Sequence, residues 1–148
     1  MLQTSNAVPK PRIAADGKDG GQLEPLLRLA GTLRESHALV VAEHGLELLC
    51  GLLRRGCLAA TAIRLGDKPD ANDYDVVIMP SLASIAMATV VRLARRSLAP
   101  GGRLIVGMND ARTASALARR LRLNGFTKLR LTQIAGRVLL CADLWRVA

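Results

Sequence analysis

The sequence predicts an α/β fold, on three observations. Residues 74–108 read as strand, helix, turn, strand. Two more apolar runs, 37–42 and 58–65, stand upstream with a helical stretch between them, and residues 128–144 read as two strands joined by a tight turn. The first strand of the 74–108 unit is Asp75-Val-Val-Ile-Met79 with no polar alternation, as suits a strand buried on both faces of a parallel sheet. A βαβ unit of this kind crosses over right-handedly and lays its helix on the sheet. The expected architecture is a three-layer, mostly parallel sheet ending in an antiparallel hairpin.

A chain of 148 residues is the size of one domain, and half of it is hydrophobic, enough for a core. Leu, Ala, Val and Ile must fill that core, because Tyr74, Phe126 and Trp145 are the only aromatics. The same scarcity argues against nucleic-acid bases stacking on aromatic platforms. No apolar run is long enough to span a membrane, and the N-terminus lacks the apolar centre of a secretory signal, so a cytoplasmic location is expected. Cys50, Cys57 and Cys141 form no CxxC pair and are read as reduced thiols. The Ala-, Arg- and Leu-heavy composition is one associated with GC-rich bacterial genomes. Charge is uneven. The net +9 divides into −1 over residues 1–91 (nine basic, ten acidic) and +10 from Arg92 onward (twelve basic against Asp110 and Asp143). A basic half can attract nucleic acid or another anionic surface.

Taken in order, residues 1–21 hold Pro9, Pro11 and three glycines with little to bury, and are read as a flexible tail before a domain over 22–148. Residues 22–36 form a helix with Pro25 in its first turn and Leu23, Leu26, Leu27, Ala30 and Leu33 on one side. The first strand is 37–42, followed by a turn at Glu43-His44-Gly45 and a helix over 46–55. Gly56 closes that helix, and the second strand is 58–65. Only six residues separate Asp67 from Tyr74, too few for another helical crossover. A helix over 84–98 repeats Ala86, Val90, Leu93 and Ala94 on one side, with Arg92, Arg95 and Arg96 mostly opposite. Pro100-Gly101-Gly102 is the turn into the strand 103–107. Asp110 or Thr113 caps a helix over 111–124, where Ala114, Leu117, Ala118 and Leu121 face one way and Arg112, Arg119, Arg120 and Arg122 mostly the other. Asn124-Gly125 ends it. A strand over 128–132 with one wet face, a turn at 133–136 and a strand over 137–144 close the chain.

The YDVV strand, the Arg/Leu-rich helix and the segment L-A-P-G-G-R-L-I-V, followed by A-R-R-L-R-L-N-G-F-T-K-L-R-L, resemble the class I S-adenosylmethionine (SAM)-dependent methyltransferases, a Rossmann-like family. The resemblance covers about residues 23–146. It implies a Rossmann-like methyltransferase sheet, here lacking the third strand and its helices. It also implies a cofactor loop after the first strand, an acidic residue followed by alternating glycines. Glu43 and Gly45 match the acidic position and the first glycine, whereas Glu47 and Leu49 stand at the other two. The family's ribose-binding acid at the end of the second strand falls on Arg64, which can donate but not accept; Asp67 is the substitute, or else a turn former. The deleted segment is where the family holds adenine, with Asp70 and Asp73 on the short connection that remains. The polar clamp after the family's fourth strand falls on Met79-Pro80-Ser81-Leu82, with Ser81 and Ser84 the polar groups nearby.

The first half also resembles a response-regulator receiver. That family needs an acidic pair after strand one and a phosphoacceptor Asp where Met79-Pro80 stands. His37 and His44 have no partners at metal-ligand spacing, no nucleophile triad can be assembled, and no phosphate-binding P-loop is present. Two functions are left. One is a degenerate, non-catalytic methyltransferase-like domain, a pseudoenzyme that binds protein or nucleic acid. The other is a compact active methyltransferase with a pocket of Glu43, Gly45, Asp67 and Pro80 and SAM as cofactor. The open side of the second strand calls for a cover, a second copy of the chain or a partner subunit. Nucleic acid would meet Arg92, Arg95, Arg96, Arg119, Arg120 and Arg122.

Overall fold

The computed structural model describes residues 24–31, 33–69, 74–82 and 86–145. The expected tail, Asp70, Asp73 and Ser84 lie outside them. The first helix, α1, covers 24–30 and buries Leu26, Leu27 and Ala30. It ends well short of Ser36 because Gly31 adopts the left-handed region (φ 77°) and its N–H turns back to the Arg28 carbonyl. Next come β1 (His37–Val41), α2 (Leu46–Arg54), β2 (Ala59–Ile63) and β3 (Tyr74–Met79). Then follow α3 (Met87–Ser97), β4 (Leu98–Met108), α4 (Ala111–Leu123), β5 (Phe126–Ile134) and β6 (Arg137–Leu144).

The six strands form one sheet in the order β2-β1-β3-β4-β6-β5. Strands β2, β1, β3 and β4 are parallel; β6 runs antiparallel to β4, and β5 to β6. This is the expected three-layer sheet, with no strand beyond β2 among the described residues and with a closing antiparallel hairpin. Alternation along the strands divides the core in two. Leu39, Val77, Met79, Leu104 and Leu140 point to the layer of α3 and α4, where Val90, Leu93, Leu117 and Leu121 meet them. Ala38, Val40, Val76, Ile78 and Ile105 point to the layer of α1 and α2, against Leu26, Leu27, Leu48 and Leu52. Each fully buried leucine or isoleucine removed from water contributes about 1.5–3 kcal/mol.

Two expected turns take other forms. Pro100-Gly101-Gly102 does not precede a strand but lies inside β4, whose pairing with β3 jumps from Tyr74–Leu98 to Val76–Arg103. Four residues of β4, 99–102, stand opposite the single Asp75, three more than the ladder needs. Gly101 takes φ 85°, and a Cβ on Gly102 would stand 2.9 Å from the Ala99 carbonyl oxygen. The last hairpin turn is two residues, not four. Ala135 and Gly136 both take positive φ (52° and 78°), which matches the twist of the flanking strands and lets β5 run on to Ile134. β5 is the outer strand and is exposed over most of its length; its register with β6 shifts around Lys128 (φ 54°).

Candidate functional site

Ligands of open parallel sheets bind beyond the carboxyl ends of the strands. Here the ends of β1 and β3 border a cavity of about 910 Å³. Val41, Met79 and Leu82 give it an apolar floor; Glu43, His44, Glu47, Pro80, Ser81 and Arg137 supply polar groups and rim. The β1–α2 loop is drawn inward. The Ala42 N–H donates to the Ile63 carbonyl at 3.0 Å, and the Gly45 carbonyl accepts the first bond of α2 from Leu49 at 2.9 Å. Gly45 has an ordinary φ of −95°, so its need for glycine is close approach: a Cβ there would stand 3.0 Å from Val40 Cγ1 and 3.5 Å from Ala62 Cβ. A side chain at 45 would enter the packing under the loop rather than the cavity, so Gly45→Arg reports on folding before it reports on any ligand.

The opposite rim follows β3. The Leu82 N–H donates to the Gly107 carbonyl at 3.0 Å, and the Pro80 carbonyl accepts from Arg137 Nη2 at 2.7 Å. A Cβ on Gly107 would lie 2.3 Å from the Pro80 oxygen, so only glycine lets this loop seat on β4. Arg137 was not among the residues singled out in the sequence. Its signal was topological: the start of an antiparallel β6 must lie beside the end of β4, and Val138 does pair with Met108.

Glu43 and Pro80 therefore meet across one cavity, with Gly45 beneath its wall. Asp67 is placed elsewhere. Its carboxylate accepts from the Arg64 N–H at 3.0 Å, its own N–H donates to the Arg64 carbonyl at 3.1 Å, and Gly66 takes φ 110° between them. That is the turn-forming role. Asp67 borders a separate hollow with Lys68, Thr89, Arg92 and Arg96. Arg64 reaches back to Glu43, Nε to Oε2 at 3.9 Å, both side chains more than 70% exposed. The acid after β1 thus faces a guanidinium where the family resemblance asks for a carboxylate. Burial pushes the Cys57 and Cys141 thiols up, so neither is a thiolate nucleophile at neutral pH.

These residues depart from the SAM cradle that the resemblance implies. The position of the ribose acid holds a donor, Asp67 is engaged in its own turn, and Glu47, at the second glycine position, borders the cavity with a carboxylate. No methyl-transfer step follows from this set.

The helix arginines lie on another surface. Arg92, Arg95 and Arg96 on α3 and Arg119, Arg120 and Arg122 on α4 are all exposed. Arg92, Arg95, Arg96 and Arg120 surround one hollow of about 460 Å³; Arg119 and Arg122 stand outside its lining.

No family model matches the sequence, and no curated protein matches it. Solved structures do match its fold. A Listeria monocytogenes chain named as a candidate SAM-dependent methyltransferase superposes with a TM-score of 0.73 at 12% identity, over 87% of this chain and 99% of that one. A SAM-dependent methyltransferase from Mesorhizobium loti gives 0.68 at 10% identity, over 84% and 99%. A candidate methyltransferase of Haloferax volcanii, solved with the Trm112 methyltransferase activator, gives 0.67 at 13% identity, over 88% and 92%. With the sheet order and the cavity at the strand ends, these likenesses show that the chain has the class I SAM-dependent methyltransferase-like fold.

Proposed function

We propose that the chain is a non-catalytic methyltransferase-like domain, a cytoplasmic binding module for protein or nucleic acid. One observation carries this reading: at the end of β2, where the resemblance calls for an acid to accept from the ribose hydroxyls, Arg64 faces Glu43 and Asp67 is bonded to the Arg64 backbone. Beyond β2 there is no further strand among the described residues, so the adenine side has no sheet beneath it. β2 leaves an edge without a single charge, and Leu58 and Leu65 beside it and Leu53 on α2 are 40–66% exposed. Such an edge suits a second copy of the chain or a partner subunit; the Haloferax neighbour was solved together with an activator protein.

The test is incorporation of labelled methyl groups from SAM into a cell extract by the pure protein. None above the no-protein control is expected. Incorporation lost in Glu43→Ala would overturn the reading in favour of a compact methyltransferase. The observation favouring that second reading is the size of the cavity, about 910 Å³ with Glu43 and Pro80 on its walls.

A further inference from the structure

We infer that the outer face of α3 and α4 is a track for the phosphate backbone of duplex nucleic acid. The inference names a partner for the binding module and rests on that reading, but it stands on a surface apart from the cavity at the strand ends. Neither helix contains a single Asp or Glu. On α3, Ala88, Val91, Arg92, Arg95 and Arg96 recur at helical spacing and form one wall of the 460 Å³ hollow; Arg120 and Asn124 of α4 form the other. Arg92 and Arg96 also border the second hollow, with Lys68 at its far side. The two hollows therefore share two guanidiniums, and together they carry Arg120, Arg95, Arg96, Arg92 and Lys68 as one strip of cations.

Among the described residues the only carboxylate on the strip is Asp67, whose Oδ2 already accepts from the Arg64 N–H. None of the four strip arginines has an ion-pair partner among the described residues. Holding like charges side by side without carboxylates costs free energy that a bound anion would recover. A single small anion would occupy one hollow; a strip of five cations spread over two matches a run of phosphates. Arginine's planar fork suits phosphate oxygens, and two hollows that share Arg92 and Arg96 suit a raised backbone better than a flat bilayer. The strip has no aromatic side chain on which to stack bases. Binding is therefore led by the backbone, tolerant of sequence, and favours a duplex over a single strand.

The test is fluorescence anisotropy with a labelled mixed-sequence duplex of roughly 20 base pairs, as DNA and as RNA, against the full chain at several salt concentrations. Four engaged phosphates predict a log–log salt slope near −3.6, or about a 100-fold loss of affinity between roughly 50 and 200 mM salt. R92E/R95E/R96E, all at exposed positions and so compatible with an unchanged circular dichroism spectrum, should lose at least ~10-fold in affinity and most of the slope. R92K/R95K/R96K should keep both. Binding of either duplex with this pattern supports the inference. It is overturned if neither duplex binds, if the charge reversal leaves binding unchanged, or if phosphatidylserine vesicles bind and duplexes do not. The assay contains no SAM, so failure here would retire the nucleic-acid track and leave the non-catalytic reading to its own experiment.

Discussion

The β4–β6 end of the sheet has a capped helix and a largely covered ion pair; the β1–β2 end has an uncapped helix and an ion pair in solvent, with the His37 N–H bonded to Asp75 Oδ2 at 2.8 Å at the start of β1. Helix α4 starts at Asp110, whose carboxylate accepts from the Thr113 N–H at 2.7 Å and from its hydroxyl at 3.0 Å. Helix α2 starts at Gly45 with no side-chain cap. Arg103 and Asp143 pair at 3.0 Å where both are largely covered, and Arg103 also holds the Leu29 carbonyl at 3.0 Å. Glu43 and Arg64 pair at 3.9 Å in solvent. The outer strand β5 carries Lys128 and Arg130 and a register shift, all of which discourage edge pairing; β2 is Ala-Ala-Thr-Ala-Ile. The well-tied flank presents the arginine-lined helices. The loosely tied flank is where a SAM-binding relative would hold its ligand. A preorganised ligand site needs rigid support; the cavity has it on the rim of Pro80, Leu82 and Arg137 and less of it on the rim of Glu43.

Four expected outcomes bear on that contrast. The largest effect should come from the core. Leu104→Ala, at a fully buried position of β4, should cost about 2–5 kcal/mol in chemical denaturation. Ile63→Ala, half-buried at the end of β2, should cost clearly less; equal losses would erase the contrast. The ion pairs come next. Asp143→Asn should lower stability by about 1–3 kcal/mol, because it strips a largely covered guanidinium of the carboxylate that holds its pKa up. Glu43→Gln should change stability by no more than a few tenths of a kcal/mol. Association should respond to the two edges differently. Thr61→Lys on β2 should reduce any self-association seen in sedimentation, while Thr132→Lys on β5 should leave it unchanged.

The smallest effect is the helix cap. Hydrogen bonds from the Thr113 backbone and side chain hold the Asp110 carboxyl below the usual aspartate range. A carboxyl lowered in the folded state contributes stability that is fully present above its unfolded pKa and is lost as pH falls through its folded one. The first turn of α4 should therefore loosen only in acid below the ordinary aspartate titration. Asp110→Asn, which keeps a capping oxygen, should soften that dependence. Amide exchange of Thr113 and Ala114 against Glu47 and Leu48 reads this directly, with the α2 pair exchanging faster at neutral pH.

The fold was legible because buried parallel strands leave little choice. Ala38–Val41 and Val76–Met79 are apolar runs with a helical pattern after each, which suits strands covered on both faces, and all eight residues are buried. The missing third strand was legible from the six-residue connection alone. The helix end at Gly31 was harder, since the apolar spacing continues to Leu33, which is buried without being helical. The in-strand bulge at Pro100-Gly101-Gly102 was illegible because a turn and a bulge use the same residues. At the cavity, Glu43 and Pro80 could be placed from strand ends. Asp67 could not, because a carboxylate near a strand end can bond its own backbone as readily as a ligand. Arg137 needed the direction of β6 first. The arginines of α3 and α4 were visible as a charged face, but their convergence around one hollow depends on how the helices pack.

The most direct test of the central claim is calorimetric titration of SAM and of S-adenosylhomocysteine into about 0.1 mM protein, with ligand carried to the millimolar range. No saturable heat is expected from either ligand, and no gain on Glu43→Ala. Saturable micromolar binding that weakens in Glu43→Ala would contradict it, and the chain would then be read as a compact methyltransferase in which Glu43 serves the cofactor despite facing Arg64.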